Sequence, residues 1–180
     1  MLIGLVGKAR SGKDTAADAL VKAFGVERYA FADPLKDMLE TAFGDKFREG
    51  DRESPIPWLG KSPRYLMQTL GTEWGRELVH PDLWVLLAES RRKALETKGV
   101  GMVLSDVRFR NEADWIMSSG GLLIEILRPG AEQVAEHVSE DALGGLTLPT
   151  QIVNDGTIED LQDTVVQYVE AWENRYAHVV

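Results

Sequence analysis

The 180-residue chain contains no cysteine, which excludes disulfides, thiolate nucleophiles and cysteine-ligated zinc together. Histidine is scarce as well: there are three, and His137 has no second histidine at ligand spacing, so it reads as a surface residue and not as a metal ligand. Positive charge is in deficit. Twenty Lys and Arg stand against 29 Asp and Glu, a formal net charge of −9. A duplex nucleic-acid binder normally shows a basic face, so none is expected as a partner. No apolar run is long enough to span a bilayer, and Met1 leads straight into a first strand without a leader pattern. A cytoplasmic protein with no membrane contact is the expectation. Internal repeats and low-complexity tracts are also missing, and 180 residues suit a single α/β domain over residues 1–180.

What the chain does have is concentrated near Met1. Leu2–Val6 is a short apolar run of the kind that forms a buried strand. Gly7-Lys8-Ala9-Arg10-Ser11-Gly12-Lys13-Asp14-Thr15 follows, a glycine-bracketed loop ending in lysine. Beyond it Ala16, Ala19, Leu20, Ala23 and Phe24 recur at helical spacing, and Gly25 suits a left-handed cap. Strand, glycine loop and helix in that order are what a phosphate-binding P-loop requires. Glycines let backbone N–H groups turn inward around phosphate oxygens, and the helix N-terminus adds partial positive charge. Lys13 would reach the β- and γ-phosphates. The usual pattern has Ser or Thr directly after the lysine; here Asp14 intervenes and Thr15 comes one place later.

Further strands are expected over 26–32, 100–104, 122–127 and 151–154, each followed by a helix or a polar loop. Asp33-Pro34 reads as a helix start, with Asp33 as N-cap or as a second group beside the phosphates. Leu35, Met38, Leu39, Ala42 and Phe43 form the apolar stripe of that helix. Residues 45–61 are rich in charge, proline and glycine and read as a loop. Ser62-Pro63 restarts a helix, and Pro81-Asp82 opens another. The third strand runs into Ser105-Asp106-Val107-Arg108-Phe109-Arg110-Asn111-Glu112. A strand ending in Asp is how a P-loop protein holds magnesium; Asp106 reads either as such a metal or site-organising group or as a partner of the arginines just beyond it, and Asn111 is expected to cap the next helix. After Arg128-Pro129-Gly130 a polar segment runs to Pro149, which reads as a lid over residues 128–149. Thr157 with Asp160 resembles a capping box for the last helix. Ile158, Leu161, Val165, Tyr168, Val169 and Trp172 are its expected buried face. The sum is a parallel five-stranded sheet with helices on both faces.

These segments occur in one order over nearly the whole chain: the loop at 7–15, Phe31-Ala32-Asp33-Pro34-Leu35-Lys36, Leu70-Gly71-Thr72-Glu73, Asp82-Leu83-Trp84-Val85, Asp106-Val107-Arg108-Phe109-x-Asn111-Glu112 and Asn154-Asp155-Gly156-Thr157. Together they resemble the bacteriophage deoxynucleoside monophosphate kinases, a family in which Asp after the P-loop lysine is common. The resemblance implies a three-layer P-loop kinase fold with a substrate-binding insertion near residues 45–80 and a lid. It implies transfer of the γ-phosphoryl group of ATP, with Mg²⁺, to a deoxynucleoside monophosphate. ATP would be held by Gly7, Ala9, Arg10, Ser11, Gly12, Lys13, Asp14 and Thr15, with Asn154, Gly156 and Thr157 beside the adenine. Asp33, Arg64, Gln68, Thr72, Arg76 and Arg108 would bind the acceptor. Asp14 or Thr15, with Asp106, would hold the metal, and Lys13, Asp106, Arg108 and Arg128 would act on the transferring group. Partners would be small nucleotides, with a homodimer allowed, in the host cytoplasm if the source is a phage. A dephospho-coenzyme A-like or phosphomevalonate-like acceptor is the nearer alternative, and a non-kinase P-loop binding module the more distant one.

Overall fold

The computed structural model describes residues 1–44, 47, 51–130, 148 and 150–176. In chain order the elements are β1 (Leu2–Val6), α1 (Lys13–Phe24), β2 (Glu27–Tyr29), α2 (Asp33–Phe43), α3 (Pro63–Gln68), a π-helix (Thr69–Val79), α4 (Leu83–Glu96), β3 (Met102–Val107), α5 (Arg110–Ser118), β4 (Leu122–Leu127), β5 (Gln151–Val153) and α6 (Ile158–Tyr176). They group into two compact units, Met1–Ala30 with Arg92–Val180, and Phe31–Arg91. Residues 45–80, where an insertion is expected, fall within the numbering of the second, and of them 45, 46 and 48–50 lie outside the described residues. Of the polar segment 128–149, residues 131–147 and 149 lie outside the described residues, so the expected lid does too.

In the first unit the sheet is parallel throughout, in the order β2-β3-β1-β4-β5. β1 lies at its centre, and all five of its residues are buried, as an uninterrupted apolar run requires. Alternation along β1 separates the two faces. Ile3 and Leu5 pack with Ala16, Ala17 and Leu20 of α1 and Leu161, Val165 and Val169 of α6. Gly4 points the other way, where a Cβ would come within 2.6 Å of Ile116 on α5. Helices therefore cover both faces. Burying each large aliphatic side chain in this core contributes about 1.5–3 kcal/mol. α1 ends as expected: Gly25 is left-handed at φ 64°, and its N–H donates to Val21 O at 3.0 Å. Ala23, expected in the apolar stripe, is exposed, and Ala17 is buried in its stead.

β2 is shorter than the stretch 26–32. It is an edge strand pairing only with β3, through Glu27, Arg28 and Tyr29. α5 is capped differently from expectation. Its N-cap is Phe109 and not Asn111. The Glu112 carboxylate reaches back to accept from the N–H groups of Arg108 at 2.8 Å and Phe109 at 3.0 Å. A carboxylate is a stronger acceptor than the Asn111 amide for donors that precede a helix. At α6 the capping box forms: Thr157 N–H donates to Asp160 at 2.9 Å and Asp160 N–H to Thr157 Oγ1 at 3.1 Å. The bond from the Thr157 backbone, then the one from its hydroxyl, holds the Asp160 carboxyl below the usual range. Ile158 departs from the expected buried face and is 63% exposed.

In the second unit Leu35 and Leu39 are the buried residues of α2, whereas Met38 and Ala42 are exposed. Asp33 is the first helical residue and not the N-cap. Ala32 already has helical angles (φ −80°, ψ −8°), and no side chain caps the helix. Asp33 instead places its charge in the first turn, where the helix dipole favours it, 3.6 Å from Lys36. Ser62 does cap α3, accepting from Tyr65 N–H at 3.2 Å. The α-helical turns end at Gln68, but the helix does not. It continues to Val79 with π geometry, and His80 N–H closes it on Gly75 O at 3.0 Å.

Candidate active site

The carboxyl ends of β1, β3, β4 and β5 bring the loop at residues 7–15, Asp106 to Arg108, Arg128 and Asn154 to one edge of the first unit's sheet. The loop itself is built from unusual backbone. Gly7 and Gly12 have φ of 149° and 106°, and Arg10, at 62°, is the one described non-glycine residue with positive φ. A Cβ at Gly7 would lie 2.6 Å from Ile126 O and from Ser11 Oγ. At Gly12 it would lie 2.6 Å from Asn154 Nδ2. Both glycines are thus required by space and by conformation. Ser11 N–H donates to Lys8 O at 3.2 Å, which closes the turn from Lys8 through Ala9 and Arg10 to Ser11. The Ser11 hydroxyl is buried with no hydrogen-bond partner among the described residues. Such a turn, at the N-terminus of a 12-residue helix, presents backbone donors to an anion.

Lys13 folds over this turn, donating from Nζ to Gly7 O at 2.6 Å and Lys8 O at 2.7 Å. Asn154 ties the far side of the sheet to the loop. Its Nδ2 donates to Ser11 O at 2.8 Å, and its backbone N–H to Leu127 O at 2.6 Å. Arg128 arrives from β4, its Nη1 3.5 Å from Arg10 O, long for a hydrogen bond. A cavity of about 200 Å³ opens beside the loop, lined by Gly12, Thr15, Arg128, Asn154, Gly156 and Thr157, with Ile158 exposed at its wall. Six residues nominated from the sequence for three different roles therefore share one cavity.

Asp14 is not brought to that cavity. Its carboxylate pairs with Arg28 on β2, which also donates to Asp18 at 2.9 Å and to Ser105 Oγ at 3.3 Å. Of the two residues after Lys13, it is Thr15 that lines the cavity. Asp106 lies within β3 and not beyond it, half-buried between buried Ser105 and Val107. No group of three His, Cys, Asp or Glu that could hold a metal occurs among the described residues. The arginines that follow differ. Arg110 is tied to Asp114, its Nε at 2.8 Å from Oδ1. Arg108 is exposed, with its backbone fixed by Glu112.

The acceptor-side residues nominated in the second unit follow a simple spacing. Arg64, Gln68, Thr72 and Arg76 recur every fourth position along α3 and the π-helix, which keeps them near one face. Arg64 pairs with Glu53, and its Arg76 counterpart is half-buried. Trp58 is 73% exposed and stacks on Phe43 at 5.9 Å between centroids, while Tyr65 lies under Lys61 at 4.3 Å. Two contributors carried no role in the sequence reading: Glu112, which fixes Arg108, and Arg28, which engages Asp14. Glu112 had a visible signal, being the third residue of a helix that follows a strand. Arg28 had none.

Comparison with known proteins bears on the family and the fold. The sequence profile for deoxynucleotide monophosphate kinases matches residues 1–60 and 52–165. A deoxynucleotide monophosphate kinase candidate of Acanthamoeba polyphaga mimivirus is 34% identical over 191 residues, covering 94% of this chain and 96% of its own. The deoxynucleoside-5'-monophosphate kinase of Escherichia phage T5 is 24% identical over 225 residues, covering 86% and 89%. Among solved structures, shikimate kinase from Aquifex aeolicus shares the fold with a TM-score of 0.54 at 15% identity, covering 95% of this chain and 97% of its own. From the profile match and the mimivirus relative together, the chain belongs to the deoxynucleotide monophosphate kinase family.

Proposed function

We propose that the protein transfers the γ-phosphoryl group of ATP to a deoxynucleoside monophosphate, giving the diphosphate and ADP. The observation that carries this is the loop at residues 7–15 with Lys13, Arg128 and Asn154 gathered on it. Phosphoryl transfer asks the protein for positioning and charge neutralisation and for no covalent intermediate. Backbone N–H groups of the loop other than that of Ser11, with the Lys13 ammonium, would hold the donor's phosphates. Arg128, already against the loop, would bind oxygen atoms that gain charge as the bond to ADP breaks. The cavity by Asn154, Gly156 and Thr157 would take the nucleoside end, with Ile158 offering apolar surface to a base.

The donor set fits a hydrated Mg²⁺ arriving with the nucleotide. One carboxylate, Asp106, and one hydroxyl, Thr15, suit an ion that keeps most of its waters, whereas a bare ion would need a larger cage. When bound, the ion would neutralise phosphate charge. Replacing Asp106 with Asn is expected to raise the Mg²⁺ concentration needed for half-maximal transfer, because an amide neutralises and orients the hydrated ion less well. An unchanged Mg²⁺ titration and rate would reduce Asp106 to a structural residue.

Arg108 we assign to the acceptor phosphate, together with Arg76 and Arg64; Gln68, Thr72 and Asp33 would contact the rest of the acceptor. We take the second unit, Phe31–Arg91, as the acceptor-binding insertion. The whole reading is tested by ATP-dependent transfer across the deoxy- and ribonucleoside monophosphates, with dephospho-coenzyme A and phosphomevalonate in the same panel. Production of deoxynucleoside diphosphate supports it. Acceptor-independent hydrolysis alone would make the protein a nucleotide-binding module instead.

A further inference from the structure

The π-helix is the one element that the sequence pattern did not announce, and π geometry survives only where its surroundings hold it, commonly at functional sites. Here one side chain from beyond the helix meets it at two glycines. Trp84 is 2% exposed, and its Nε1–H donates to the carbonyl of Gly71 at 2.8 Å. One turn later Gly75 lies flat on the same indole: a Cβ there would come within 2.6 Å of the ring. The ring therefore touches the helix twice, once by a hydrogen bond and once by close packing. Each contact falls on a glycine, and each glycine is followed directly by a polar residue, Thr72 after Gly71 and Arg76 after Gly75.

We propose that Trp84 is a positioning residue for acceptor binding: it pins the register and rotation of the π-helix and so fixes where Thr72 and Arg76 stand. This rests on the acceptor role assigned above to those two residues. Register is what the hydrogen bond controls. If the indole N–H is lost, nothing at that ring selects the π turn over an α turn. Moving from a closure on the fifth residue to one on the fourth rotates every later side chain about the axis. Arg76 would be turned about the axis, and shifted along it, relative to Gln68 and the residues before the π turns. Packing at Gly75 sets the distance between helix and ring, because glycine alone lets the backbone approach so closely.

Trp84→Phe removes the donor and keeps an aromatic ring. Steady-state transfer should show the acceptor KM raised about two- to tenfold, the loss of one neutral hydrogen bond, with the ATP KM unchanged. Gly75→Ala, which leaves Trp84 in place and displaces it from the helix, should raise the acceptor KM in the same direction. It also serves if Trp84→Phe does not fold by circular dichroism. A merely structural tryptophan would lower the melting temperature and the active fraction while both KM values held, and that result overturns the proposal. Arg76→Lys run alongside separates the two levels of inference. If Arg76→Lys raises the acceptor KM and neither Trp84→Phe nor Gly75→Ala does, the pinning role fails and the acceptor assignment stands. If none of the three moves it, both fail.

Discussion

Lys13→Ala is expected to lower turnover about 100- to 1,000-fold, the range for deleting one preorganised donor to a charge that develops in the transition state. The fold should remain, because Lys13 is only half-buried and its Nζ bonds to two carbonyls of its own loop, Gly7 O and Lys8 O. The effect should fall mainly on kcat. An ammonium that gained as much from ground-state phosphates as from the transition state would instead appear in the ATP KM. The measurement is steady-state transfer with circular dichroism on the same sample. A folded variant with near wild-type turnover would remove Lys13 from the chemistry.

The second large effect is expected at Arg108. A guanidinium meets two phosphate oxygens in a planar fork, and an ammonium meets them as a point charge. Arg108→Lys should therefore cost roughly one charge-assisted hydrogen bond, about 1.5 kcal/mol, or roughly tenfold in acceptor KM. Titration of ATP against the free enzyme should show little change. Glu112 sharpens the expectation, since its carboxylate holds the Arg108 and Phe109 N–H groups and the substitution leaves that frame intact. Loss of ATP binding equal to the loss of acceptor binding would move Arg108 to the donor side.

What could be read from the sequence follows a physical line. β1 is buried throughout and β4 at four of its six residues, so an apolar run, broken in β4 only by Glu125, marked each of them residue for residue. The loop at 7–15 was legible because its geometry admits so few residues: Gly7 and Gly12 have no room for a Cβ. Helix ends were legible where the cap was local, as at Gly25, Ser62 and Thr157. They were misread where a competing group won. Asp33 yielded the cap position to Ala32, and Asn111 yielded it to Phe109, whose N–H is held by the Glu112 carboxylate. The π-helix depends on Trp84, a residue beyond its own end. The pairing of Asp14 with Arg28 likewise joins a helix to a strand that the chain reaches only later. Ile158 sits at helical spacing for burial, yet it lies in the first turn of α6, beside the open cavity at the loop. Periodicity gives a direction on the helix and says nothing of how far the neighbouring layer extends.

The central place of β1 bears on how the chain is made. Ile3 pairs with Val103 on one side and Leu122 on the other, and the floor beneath Gly7 is the carbonyl of Ile126. During synthesis, at about 5–20 residues per second, the first strand would wait on the order of 5–20 seconds for either neighbour. An apolar five-residue segment with both edges unpaired is a template for pairing with other chains over that interval. Helix α1 is local and can form early, and by folding back on Ile3 and Leu5 it would shelter one face of the strand in the meantime. The loop at residues 7–15 is thus synthesised well before the strands that flank β1 and gains its native support only after them.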